Sequence, residues 1–164
     1  MNANPLQSTS SALLGLSKTL GNLQTANELL NRLERAVPPS RAQRAPNVPV
    51  SHVIITTQML PDGSGVPATA SASTGSAGYK TRLTFQPKPG FNCTCPDLQQ
   101  RRAACKHVAA LAVECRKRFW VLADQIEGNV ERFSAQLGEL ESSAGKLSAD
   151  SLRSLGDSLK ALDS

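Results

Sequence analysis

The sequence predicts an α+β fold: a small module of two strands and a helix, flanked by long α-helices with heptad-patterned apolar positions. Three observations carry this expectation. Leu and Ala supply 41 of the 164 residues, whereas Val and Ile supply 12, a mix that favours helices over a thick sheet. Only one stretch, VSHVIITTQM from Val50 to Met59, is dense in β-branched residues. Aromatic residues make up 4% of the chain, too few to anchor a large core, so a staple other than apolar burial is expected.

Residues 1–37 read as an N-terminal amphipathic helix. From Ser11 onward, Leu13, Leu16, Leu20, Leu23, Leu30 and Val37 recur at steps of three and four, with Asn27 and Glu34 filling the two gaps, which is a heptad seam. Polar groups in such a seam cost stability when buried and can fix its register. Ser10 or Ser11 can cap the start, and Pro38-Pro39 ends the helix. Residues 38–49, PPSRAQRAPNVP, read as a basic, semi-extended linker.

Residues 50–120 form the expected module. Val50 to Met59 is its first strand, and Tyr79 to Gln86, alternating Tyr79, Thr81, Leu83 and Phe85, is its second. The Ser/Ala/Gly stretch 61–78 between them is expected to be a mobile hairpin loop. From Ala103 to Leu140 apolar residues persist at helical spacing, through Val108, Leu111, Cys115, Phe119, Leu122, Ile126, Val130, Phe133, Leu137 and Leu140. Gly128 and Gly138 weaken that helix and are candidate breaks. A turn at Ser142 to Gly145 and a last helix from Ala149 to Leu162, capped by Ser148, complete an acidic helical extension, 121–164, suited to association.

The chemistry lies in FNCTCPDLQQRRAACKHVAALAVEC. Cys93, Cys95, Cys105 and His107 make a Cys-x-Cys, nine-residue spacer, Cys-x-His set. Three thiolates and one imidazole complete the closed four-ligand shell that structural Zn²⁺ prefers. Residues two apart on an extended chain point to one face, so Cys93 and Cys95 can reach one ion at the end of a strand. Residues two apart on a helix do not, so Cys105 must precede or open the helix that carries His107. Cys115, in phase with Leu111 and Phe119, reads as core. His52 reads as an ordinary strand histidine.

This stretch resembles the SWIM zinc finger, whose pattern is Cys-x-Cys, a variable spacer, then Cys-x-His. CTCP and CKHVAAL carry the likeness, down to Pro96 after Cys95 and Lys106 between the last two ligands. The resemblance covers roughly residues 50–120 and implies a zinc knuckle preceded by two strands and followed by a helix. SWIM domains occur in Mutator-type transposases, plant far-red response regulators, bacterial helicase-associated proteins, a signalling kinase and small recombination partners. The roles so implied are DNA binding and protein interaction. The long small-residue insert between the strands departs from the family pattern.

Charge is uneven. Residues 1–118 hold 14 Lys/Arg against 5 Asp/Glu, and residues 119–164 hold 4 against 8. A basic body with an acidic tail suits a polyanion at one end and solvent or a basic protein surface at the other. Arg101, Arg102, Lys106, Arg116, Lys117, Arg118, Lys80, Arg82 and Lys88 crowd the module and are the candidate contacts to DNA or another nucleic acid. Tyr79, Phe91 and Trp120 are the aromatics near enough to stack on bases, though each fits a core position.

With three thiols and the nearby histidine given to one zinc ion, no open metal position, Ser/His/Asp set or phosphate loop remains. A non-enzymatic protein without a small-molecule substrate is expected. The heptad faces call for a protein partner or self-association. The longest apolar run, Val108 to Val113, is far short of a membrane span, and the N-terminus lacks a basic, uninterrupted apolar leader. An intracellular, cytoplasmic or nuclear, chain is expected.

Overall fold

The computed structural model describes residues 5–162. Two long helices, α1 (Pro5–Ala36) and α4 (Lys106–Leu162), pack with one face of a four-stranded antiparallel sheet in the order β1-β2-β3-β4. The strands are β1 (Val50–Met59), β2 (Gly65–Thr74), β3 (Tyr79–Thr84) and β4 (Gly90–Cys93). Short helices α2 (Pro39–Ala42) and α3 (Pro96–Arg101), with a 3₁₀ turn at Ala45–Asn47, complete the chain. Among the described residues no helix is long and apolar enough to cross a membrane.

The sheet has four strands where two were expected, and the added pair shows why. The stretch 61–78 is not a mobile loop but contains β2, which pairs with β1 through Ile55↔Ala70 and with β3 through Ala70↔Leu83. Its small residues serve packing: Ala70 and Ala72 are buried beneath α1 and α4, where larger side chains would hold the helices off. The outward row of Thr69, Ser71 and Ser73 stays partly accessible. Ordinary alternation is therefore present, in residues too small to register as apolar. β4, also unforeseen, pairs Thr81 with Cys93 and brings the first thiol into the sheet.

Residues 38–49 are likewise not an extended linker. Pro39 sits in the first turn of α2, where a missing N–H costs nothing. Arg41 explains why this segment docks: its guanidinium donates to the Ala104 carbonyl at 3.1 Å and to Asp97 at 3.0 Å. α1 starts at Pro5, ahead of the expected cap at Ser10 or Ser11, and α4 is one helix of 57 residues. Gly128 and Gly138 do not break it; both face open space, so their cost is the glycine propensity alone. Ser142 to Gly145 and Ser148 fall inside it. The side chains of Leu152, Leu155, Leu159 and Leu162 lie outside those described.

α1 and α4 run antiparallel. Arg116 donates to Glu34 (2.7 Å) and Asn31 (3.2 Å) near the end of α1, while Ser11 and Leu16 share a groove with Phe133. Leu23, Ala26 and Leu30 of α1 are buried, as are Val37 just past its end and Val108, Leu111, Cys115, Phe119 and Ile126 of α4. Phe85 meets Phe119 with ring centroids 5.6 Å apart. Glu34, the charged interruption of the seam, thus meets a cation from the facing helix through Oε2, while its Oε1 is buried without a partner. Asn27 keeps a buried Oδ1 without a partner.

Candidate metal centre

Three elements converge at one end of this core. β4 ends on Cys93, Cys95 precedes α3, and Cys105 immediately precedes α4, whose second residue is His107. The expected geometry follows: two thiols leave the end of a strand, and the third lies just outside the helix that carries the imidazole. Cys105 accepts the Ala109 N–H with its carbonyl at 3.1 Å, as a residue at the start of a helix does. All four side chains are buried, and their ligand atoms lie within 4.8 Å of one another. Tetrahedral zinc with Zn–S near 2.3 Å places its ligands roughly 3.8 Å apart, so small adjustments suffice.

The surrounding groups fit a cation. His107 Nδ1 is buried with no hydrogen-bond partner, the state of an imidazole nitrogen whose lone pair is meant for a metal. Burial pushes the Cys93 thiol up and holds Cys105 at about 12, with the neighbouring thiols adding to the cost of charge. Burial also lowers His107, helped by the charge of Lys106, so the ring is neutral and able to ligate. Three buried thiols beside a neutral imidazole gain little from one another; a divalent ion supplies the missing charge.

Around the ligands lies a supporting layer that sequence reading missed. Thr81 Oγ1 is 3.3 Å from Cys93 Sγ and 2.6 Å from Thr74 Oγ1. With Cys93 ionised, the sulfur accepts only, so Thr81 donates to it and its oxygen accepts from Thr74. The Leu98 N–H points to Cys95 Sγ at 3.5 Å, and Gln99 donates to the Cys93 carbonyl at 2.8 Å. Tyr79 lies against His107, centroids 5.0 Å apart. Gly75, at φ 73°, closes the site: a Cβ there would stand 3.0 Å from His107 Nε2. Alternation marked Thr81 as inward, but nothing in the chain order says that Cys93 would be its neighbour.

Residues 92–116 match the SWIM zinc finger. The matching segment contains all four ligands and ends on α4, and with the geometry it assigns this centre one structural zinc ion held by Cys93, Cys95, Cys105 and His107. The match does not reach β1, β2 or β3, nor α1 and the distal part of α4. Comparison of the chain with curated proteins gives no match. Comparison with solved structures gives none either.

Cys115 stays outside the SWIM centre's ligand set. It is fully buried in the helix interface, where burial pushes its thiol up to about 12. His52 is exposed at a bulge of β1, with φ 54° and Nδ1 3.2 Å from Ser51 Oγ. The cations divide into two groups. Arg101 pairs with Asp97 (3.5 Å), Arg116 with Glu34 and Arg118 with Glu114 (3.5 Å). Lys80, Arg82, Lys88, Arg102, Lys106 and Lys117 form no ion pair among the described residues. Of the three aromatics, Tyr79 is partly buried against His107, whereas Phe91 is 38% and Trp120 74% exposed; these two are not core residues.

Proposed function

We propose that this is a small non-enzymatic zinc protein that associates with nucleic acid through the basic surface around its SWIM centre, while its long helices contact other proteins. The supporting observation is the set of unpaired cations. Lys80 and Arg82 project from the open face of β3, Lys88 lies in the β3–β4 connection, and Arg102 and Lys106 flank Cys105. A surface whose charges are not neutralised within the chain releases counterions on meeting phosphate. Zinc here is a structural ion: four protein ligands leave it no position for a substrate.

The test is binding of zinc-loaded protein to labelled single- and double-stranded DNA over a salt series, beside a variant carrying Arg102→Ala, Lys106→Ala and Arg82→Ala. The proposal expects a linear log-log fall in affinity with salt, made shallower in the variant. No binding to either DNA at low salt overturns it.

A second reading, an assembly protein in which the finger is a folding staple, is favoured by the helices. At ~1.5 Å per residue, α4 is ~85 Å long against ~48 Å for α1, and among its described residues none beyond Ile126 is buried. A groove of about 750 Å³, walled by Leu16, Leu23, Met59, Phe119 and Phe133, opens beside it. Sedimentation at micromolar concentration separates the readings: a clean monomer removes self-association from this one.

A further inference from the structure

We infer that the outer face of α4 at Arg116, Lys117 and Trp120 binds single-stranded nucleic acid, with Trp120 stacking on an unpaired base. This inference deepens the nucleic-acid reading above and rests on it. Trp120 is the chain's one tryptophan and is 74% exposed. A helix turns 100° per residue, so Trp120 lies on the side opposite Leu111, Cys115 and Ile126, which face the core. An indole held in water on a rigid helix forgoes much of its burial energy, which marks a contact surface.

The neighbours say what the contact is. Lys117 and Arg116 stand one turn before Trp120 on its own stripe. Lys117 is exposed and forms no ion pair among the described residues, while Arg116 is anchored by Glu34 with its side chain 42% exposed. Lys106, on the same stripe, stands beside the metal centre. One turn later the sign reverses: Asp124, Glu127 and Glu131 are all exposed. A polyanion seated at Trp120 therefore runs toward the zinc end of α4 and away from its acidic half. Duplex bases are stacked on one another and cannot cover an indole face; an unpaired base can, and the cations one turn away then meet its phosphates.

Trp120 is also the probe. Zinc-loaded full-length protein is titrated with an oligothymidylate of about twenty nucleotides, followed by indole emission and, with labelled strand, by anisotropy; a hairpin duplex is the control. The inference expects saturable quenching by the single strand. Trp120→Ala should weaken its binding roughly tenfold or more without changing the salt slope, since no charge is removed. Trp120→Phe should recover part of the loss, and Lys117→Ala should make the slope shallower. Because the ring is exposed, both Trp120 variants should keep the melting temperature.

Binding by anisotropy with unmoved emission and an unaffected Trp120→Ala variant overturns the inference and leaves the nucleic-acid reading standing. An equal loss of duplex binding in that variant overturns the single-strand assignment. A change in sedimentation with Trp120→Ala, without a change in binding, assigns the indole to a protein contact and overturns it too. No binding of either probe at low salt removes the reading and the inference together.

Discussion

The two halves of α4 carry the same kind of apolar spacing and meet different fates. From Lys106 to Ile126 the helix lies against α1 and the sheet, starts beside the metal ligands, and buries Val108, Leu111, Cys115 and Phe119. From Glu127 to Ser143 it buries none of its residues; Val130, Phe133, Leu137 and Leu140 are only partly covered. A three-four apolar repeat states that a face wants cover. Cover depends on how far the packed elements reach, and among the described residues α1 and the sheet of four strands do not reach along the whole helix.

The largest effect expected from this contrast comes from the metal. Chelation of zinc, or Cys105→Ser, removes an ion that contributes on the order of 10–16 kcal/mol in comparable sites, as much as a whole domain's net stability of about 5–15 kcal/mol. The zinc-proximal half should lose its resistance to proteolysis together with the sheet. Unchanged circular dichroism and digestion after verified metal loss would break the comparison at its stronger end.

Acid should act through the same site. The unliganded Cys105 thiol sits at about 12 and Cys93 is also raised, so protons bind these sulfurs more readily than in an open chain. Zinc must displace them, and affinity falls as pH drops. With three thiols the slope approaches a thousandfold per pH unit, seen as about three protons released per zinc when titrations are compared across buffers. His107 is lowered by burial and adds little above its own pKa. Without metal the sign is the opposite: raised thiols favour the fold only while protonated, and stability declines as pH climbs from the unfolded thiol value toward 12.

Core substitutions sharpen the contrast between halves. Phe119→Ala leaves a cavity beside Phe85 and should cost about 3–5 kcal/mol, whereas Leu137→Ala, partly exposed, should cost under about 1 kcal/mol in the monomer. A Leu137→Ala cost that grows with protein concentration in thermal melts would show that a second copy covers the distal half. Smaller again, Thr81→Val keeps shape but removes the donor to Cys93. Competition with a chelator should show zinc held about ten- to a hundredfold less tightly.

The metal ligands, β1 from Val50 to Met59 and the placement of Cys105 just before a helix were legible because each rests on local geometry: residue spacing on strand and helix. β2 was not, because its inward side chains are Ala70 and Ala72, whose smallness is required by the helices above them and reads in isolation as loop composition. Arg41 could not be found either, since its partners Asp97 and Ala104 stand more than fifty residues away in the chain. The uninterrupted course of α4 past Gly128 and Gly138 shows the converse, a local weakness overruled by the cooperativity of a long helix.

The central claim is that Cys93, Cys95, Cys105 and His107 together hold one zinc ion that staples this fold. X-ray absorption at the zinc edge of the purified protein, with metal content measured on the same sample, addresses it most directly. One zinc per chain in a shell of three sulfurs near 2.3 Å and one nitrogen near 2.0 Å is the predicted result. A shell of four sulfurs, which would draw in Cys115, an oxygen-rich shell, or a folded protein that takes up no zinc would contradict it.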